Sequence, residues 1–120
     1  LRALRRESDL PQFLIGLTDT EPKVRIHSIW ALGEIGNPSV VADLMRLLLL
    51  DPDPLVRGAI GKALVGLEDD SILSALIEAL ERESDGFVKR MVRDALERIT
   101  GERHMLHQTE LYRQWWERNR

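Results

Sequence analysis

The sequence predicts an all-α fold of stacked helix pairs, and two observations carry that prediction. The first is an internal repeat. Val24-Arg25, Val56-Arg57 and Val88-Lys89 recur at a step of 32 residues. The same step links Ala31, Ala63 and Ala95, then Leu32, Leu64 and Leu96, then Ile35, Leu67 and Ile99. Acidic residues recur ahead of each motif at Asp19, Asp51 and Glu83, followed by Pro22, Pro54 and Gly86. The second observation is the apolar spacing within each copy, which follows a helical face and never alternates as a strand does.

The copies fall at about 8–36, 37–68 and 69–100, each read as two helices. Helices are expected over 8–18 and 22–35, over 38–50 and 54–67, and over 70–82 and 86–99. The middle copy shows the logic. Val40, Val41, Leu44, Met45, Leu47 and Leu48 share one face of its first helix. Asp51-Pro52-Asp53-Pro54 stops that helix, because proline lacks a backbone donor and forces its predecessor out of the α region. Asp53 is a natural N-cap, with Pro54 at the first helical position. Val56, Ile60, Ala63, Leu64 and Leu67 form the apolar stripe of the second helix. Gly36-Asn37-Pro38 and Glu68-Asp69-Asp70 turn the chain between copies.

Both ends leave this frame. A shift of 31 residues aligns Leu1 with Leu32 and Leu4 with Ile35, so residues 1–6 read as the end of a second helix from an earlier copy. The sequence also begins without Met, and it is expected to be a fragment of a longer array. Residues 101–120 read as a C-terminal cap with a helix over 107–118. Leu111 and Trp115 lie four apart on one face and are expected to cover the open end of the stack.

Composition bounds the rest. The chain has 120 residues, 17 Lys plus Arg, 20 Asp plus Glu and a formal charge of −3. Its halves carry 7 basic against 8 acidic and 10 against 12. Neither half has the positive excess of a chain that tracks phosphates, so nucleic acid is not the expected partner. There is no cysteine, hence no disulfide, thiol nucleophile or thiolate metal site. No apolar run is long enough to span a bilayer and no signal peptide is evident, so a cytoplasmic chain is expected.

Asp19-Thr-Glu-Pro-Lys-Val-Arg25 with Ala31-Leu-Gly-Glu-Ile-Gly36, and Asp51-Pro-Asp-Pro-Leu-Val-Arg57, resemble the HEAT repeat. They look like its short bacterial type, first noted in phycobilisome lyases. The third copy departs from the pattern, with Gly86 for proline, Lys89 for arginine and Glu97 for glycine. The resemblance implies a right-handed α-solenoid of about three helix pairs plus a capping helix. It also implies a structural ladder between copies, with Asp19 and Asp51 pairing Arg25 and Arg57. Finally, it implies that the second helices line a concave surface.

In those helices Val24, Ser28, Ala31, Leu32 and Ile35 are assigned to the core. That leaves Ile26, His27, Trp30 and Glu34 for the groove. Their equivalents are Gly58, Ala59, Lys62 and Gly66, then Arg90, Met91, Asp94 and Arg98. Ile26 and Trp30 form an apolar anchor pair, Gly58, Ala59 and Gly66 a small-residue floor, and Arg90, Asp94 and Arg98 a mixed-charge end. Anchor, floor and polar rim suit a protein or peptide partner. No catalytic constellation is present: no serine sits in a nucleophile elbow, and Gly33-Glu-Ile-Gly36 does not follow a strand. His104 and His107 lie three apart, but a metal site needs further ligands, and the nearby Glu102 and Glu110 are ordinary in a chain this charged. A non-catalytic, cofactor-free binding scaffold is therefore the expected function. A nucleic-acid-acting HEAT-like protein of the glycosylase type and a chromophore-lyase subunit are the alternatives.

Overall fold

The computed structural model describes residues 7–67, 69, 71–101, 113, 114, 117 and 118. Among the described residues the helices named in order are α1 (Leu10–Gly16), α2 (Pro22–Ile35), α3 (Val41–Leu50), α4 (Pro54–Leu64), α5 (Ser71–Arg82) and α6 (Gly86–Thr100). Short 3₁₀ turns at Glu7–Asp9 and Pro38–Val40 precede α1 and α3. No strand occurs among the described residues.

Local chemistry sets the helix ends. Asp53 caps α4 by accepting from the Leu55 amide at 2.8 Å, and Asp85 caps α6 through the Val88 amide at 3.0 Å. Pro22 and Pro54 occupy first helical positions, where the missing donor has no cost. Gly36 and Gly101 end α2 and α6 in the left-handed region, at φ 74° in both cases. α4 is shorter than the sequence predicts. It ends at Leu64, and Gly66 and Leu67 donate to Ala63 and Leu64, three residues back, tightening the chain into a turn.

The helices pack as an α-solenoid. α1 packs on α2, α3 on α4 and α5 on α6, while α2, α4 and α6 form one layer and α3 meets α5 in the other. Stacking is needed because one helix pair cannot bury its own apolar face. The core runs along the stack through Ile29, Leu32, Leu44, Leu48, Ile60, Leu64, Leu76 and Leu96, none more than 2% exposed. Val56 and Val88 are fully buried, as expected.

Two core assignments need correction. Val24 is 39% exposed, and Ile35 is half-buried. Val56 and Val88 each have a preceding helix pair against their own, whereas among the described residues Val24 has none. Ile29, which was not assigned to the core, is fully buried. Residues 1–6, Leu111, Trp115 and Trp116, with His104 and His107, lie outside the described residues. Arg113, Gln114, Glu117 and Arg118 are helical, and Arg113 donates to both carboxylate oxygens of Glu81 in α5, at 3.0 and 2.6 Å.

Candidate functional site

The 32-residue step lays two rows of side chains across α2, α4 and α6. One row is Trp30, Lys62 and Asp94; the other is Glu34, Gly66 and Arg98. All six are exposed, Trp30 by 54%. Between α2 and α4 lies an open pocket of about 450 Å³, lined by Trp30, Gly33, Glu34, Lys62, Ala63 and Gly66. Between α4 and α6 lies a second of about 120 Å³, lined by Lys62, Val65, Met91, Asp94, Ala95 and Arg98. Lys62 borders both, so the two adjoin along the stack.

Small residues shape this groove. A Cβ on Gly33 would come within 3.1 Å of the Ala63 Cβ, and one on Gly66 within 3.4 Å of the Gly33 carbonyl oxygen. α2 and α4 therefore approach closely, and the Glu34–Gly66–Arg98 row has no side chain at its centre. The indole of Trp30 stands beside that gap.

The structure redistributes several expected groove residues. Ile26 is half-buried and packs against the core, so it forms no surface patch with Trp30. His27 sits edge-on to Phe13 of α1, ring centroids 6.0 Å apart and planes at 62°. Gly58 and Ala59 are buried and offer no floor. A Cβ on Gly58 would lie 2.4 Å from the Phe87 ring, so that glycine makes room for a neighbouring side chain and not for a ligand. Arg90 is exposed but lines neither cavity. The lining residues that the sequence reading did not assign to the groove are Gly33, Ala63, Val65 and Ala95. Gly33 lies three residues from Trp30 on the same face, and that spacing was the available signal.

The charged ladder also differs from expectation. Arg25 does not pair with the Asp19 carboxylate, nor Arg57 with that of Asp51. Arg25 reaches forward to the next copy, its Nε and Nη2 donating to Asp51 at 2.9 and 3.1 Å. Arg57 repeats this on Glu83, again at 2.9 and 3.1 Å. Each arginine also donates from Nη1 to the backbone carbonyl of the acidic residue in its own copy, Asp19 at 2.9 Å and Asp51 at 2.7 Å. The two acids thus give Arg25 and Arg57 a carbonyl where a carboxylate was expected. The Arg25–Asp51 pair is 11% and 2% exposed and the Arg57–Glu83 pair 16% and 8%. Burial pushes the Glu83 carboxyl up, but the Arg57 hydrogen bond and the Asp85 amide outweigh it and hold it below its ordinary value. The same hydrogen bond raises Arg57 above its own.

Among the described residues no group of three or more His, Asp or Glu is placed to hold a metal ion, and no helix is long and apolar enough to cross a membrane. A family model described as HEAT repeats matches residues 10–97. A protein of Geobacillus stearothermophilus, described as "Uncharacterized protein in gldA 3'region", is 30% identical over 76 residues. The match covers 63% of this chain and 35% of that protein, so the chain spans about a third of the relative's length. No solved structure matches.

Proposed function

The chain belongs to the HEAT-repeat family, whose members are commonly protein-interaction scaffolds, and from that premise we propose that it is a non-catalytic scaffold binding a protein or peptide along its second-helix groove. The observation that carries this reading is the pair of adjoining pockets along the second helices, with Trp30 at one end and Lys62 between them. A half-exposed tryptophan beside a gap loses little on its own but gains greatly when a partner covers it, which is how aromatic hot spots work. Lys62, Asp94 and Arg98 then form a rim of both signs that fixes register and orientation. The mixed signs suit a polypeptide better than a phosphate backbone, which needs a run of positive charge.

Peptides selected from a displayed random library against the purified chain should bind in the groove. Trp30→Ala should weaken them about tenfold or more, equivalent to at least about 1.4 kcal/mol. Arg46→Ala on α3 should leave binding intact, and circular dichroism should show both variants folded. Selected peptides that ignore Trp30→Ala and are lost on Arg46→Ala would place binding on the other face and defeat the proposal.

A further inference from the structure

The ladder has an unused acceptor at its first copy. Asp51 and Glu83 are built alike: each accepts a backbone amide two residues on, Asp53 at 2.9 Å and Asp85 at 3.0 Å, and each then receives an arginine from 26 positions earlier. Asp19 has the first half of this arrangement. Its carboxylate accepts the Glu21 amide at 2.9 Å, and its carbonyl receives Arg25 as that of Asp51 receives Arg57. Among the described residues no arginine reaches its carboxylate, and the residue is exposed.

The apolar surface around it shows the same asymmetry. Val24 is 39% exposed where Val56 and Val88 are buried. Ile15 is 73% exposed, while its equivalents are half-buried Leu47 and buried Ala79. Such a face usually says nothing about what covers it. Here the molecule contains the answer twice, because the joints between its own copies bury these positions and supply this arginine.

We propose that this face is the receiving half of an inter-copy joint. It takes one further helix pair of the same repeat type, carried in the same polypeptide ahead of residue 7. The second helix of that pair places an arginine 26 positions before Asp19, as Arg25 stands before Asp51 and Arg57 before Glu83. The chemistry required is specific: a guanidinium presenting Nε and Nη2 side by side, on a helix whose apolar stripe meets Val24 and Ile15.

Two measurements test this. The parent reading frame should encode Arg at that position, with Val immediately before it; an acidic or apolar residue there, or a stop codon between, overturns the proposal. In solution, residues 37–68 can be joined directly ahead of Arg5 in the otherwise intact chain, which sets the duplicated Arg57 at the required spacing. The lengthened chain should gain helicity by circular dichroism, and Asp19→Asn should lower its unfolding midpoint by about 5 °C or more. Changing the duplicated arginine to Met should abolish that sensitivity, and Asp19→Asn in the 120-residue chain should shift the midpoint by no more than about 1 °C. No gain in helicity, or the same Asp19→Asn effect in both chains, would show that the face does not take such a pair.

Discussion

Replacing Asp51 with Leu should be among the most damaging single changes to a charged residue in this chain. Asp51 is 4% exposed and accepts three hydrogen bonds, from Arg25 Nε, Arg25 Nη2 and the Asp53 amide. Without it, a guanidinium whose side chain is 11% exposed keeps only its Nη1 contacts to the Asp19 and Thr20 carbonyls, at 2.9 and 3.2 Å. Removing one partner of a buried pair costs roughly 3–5 kcal/mol, because a desolvated charge is left behind. The two remaining carbonyls place the expected loss at the lower end, about 3 kcal/mol. Arg25→Met together with Asp51→Leu removes both charges and should recover most of it. Urea unfolding of the two single variants and the double variant gives the coupling directly. The exposed Arg46–Asp43 pair, 65% and 40% exposed, is the control and should couple by no more than about 0.5 kcal/mol. A loss below about 1 kcal/mol for Asp51→Leu, or a double variant as unstable as the sum of the singles, would refute the reasoning.

Three further outcomes are expected. Ile29→Ala should cost about 2–5 kcal/mol by urea unfolding, and Val24→Ala well under half as much, since one site is fully buried and the other 39% exposed. Gly58→Ala should lower the thermal midpoint, because its Cβ would meet the Phe87 ring. Made in a Phe87→Ala background, the same change should raise the midpoint above that of Phe87→Ala alone, as the alanine then adds about 1 kcal/mol of helix preference unopposed. Glu83 lies below its ordinary value when folded, so its stabilisation is complete above the unfolded carboxylate range near about pH 4.3. It is lost as pH falls through the folded value. Glu83→Gln should therefore flatten the acid limb of the stability profile, and an unchanged limb would exclude that role.

The repeat period made the helix pairs legible, because a 32-residue step identifies equivalent positions whatever they touch. The same property hid the direction of the ladder. Asp51 is equivalent to Asp19 whether its arginine comes from its own copy or from the one before, so periodicity alone cannot choose. The choice is made by reach in three dimensions, where Arg25 finds the Asp51 carboxylate across the joint. Val24 was misread for a related reason: its buried equivalents owe their burial to a preceding helix pair, not to their helical phase. Ile29, adjacent to Ser28 on the inward side of α2, was left out of a stripe whose Ser28, Ala31 and Leu32 are buried as assigned. In the groove, Trp30, Glu34 and Lys62 were readable from phase. Gly58 was not, since only the packed structure reveals that Phe87 of the next copy occupies its missing side chain.

Because each tie joins an arginine in one copy to an acid 26 positions later in the next, the gene can lose a whole copy without losing register. Excising residues 37–68 would bring Arg25 to the same 26-position distance from Glu83, and α2 would meet α6 where it now meets α4. The extra methylene of Glu83 is already accommodated at the distances Asp51 shows, so the exchanged ion pair would close, while Ile26 would take the place of Gly58 and the Phe87 ring that fills it would have to move. Unequal recombination between copies would thus yield shorter or longer chains in which every internal guanidinium still finds a carboxylate. Array length is a heritable variable for such a molecule, and what remains constant is the joint.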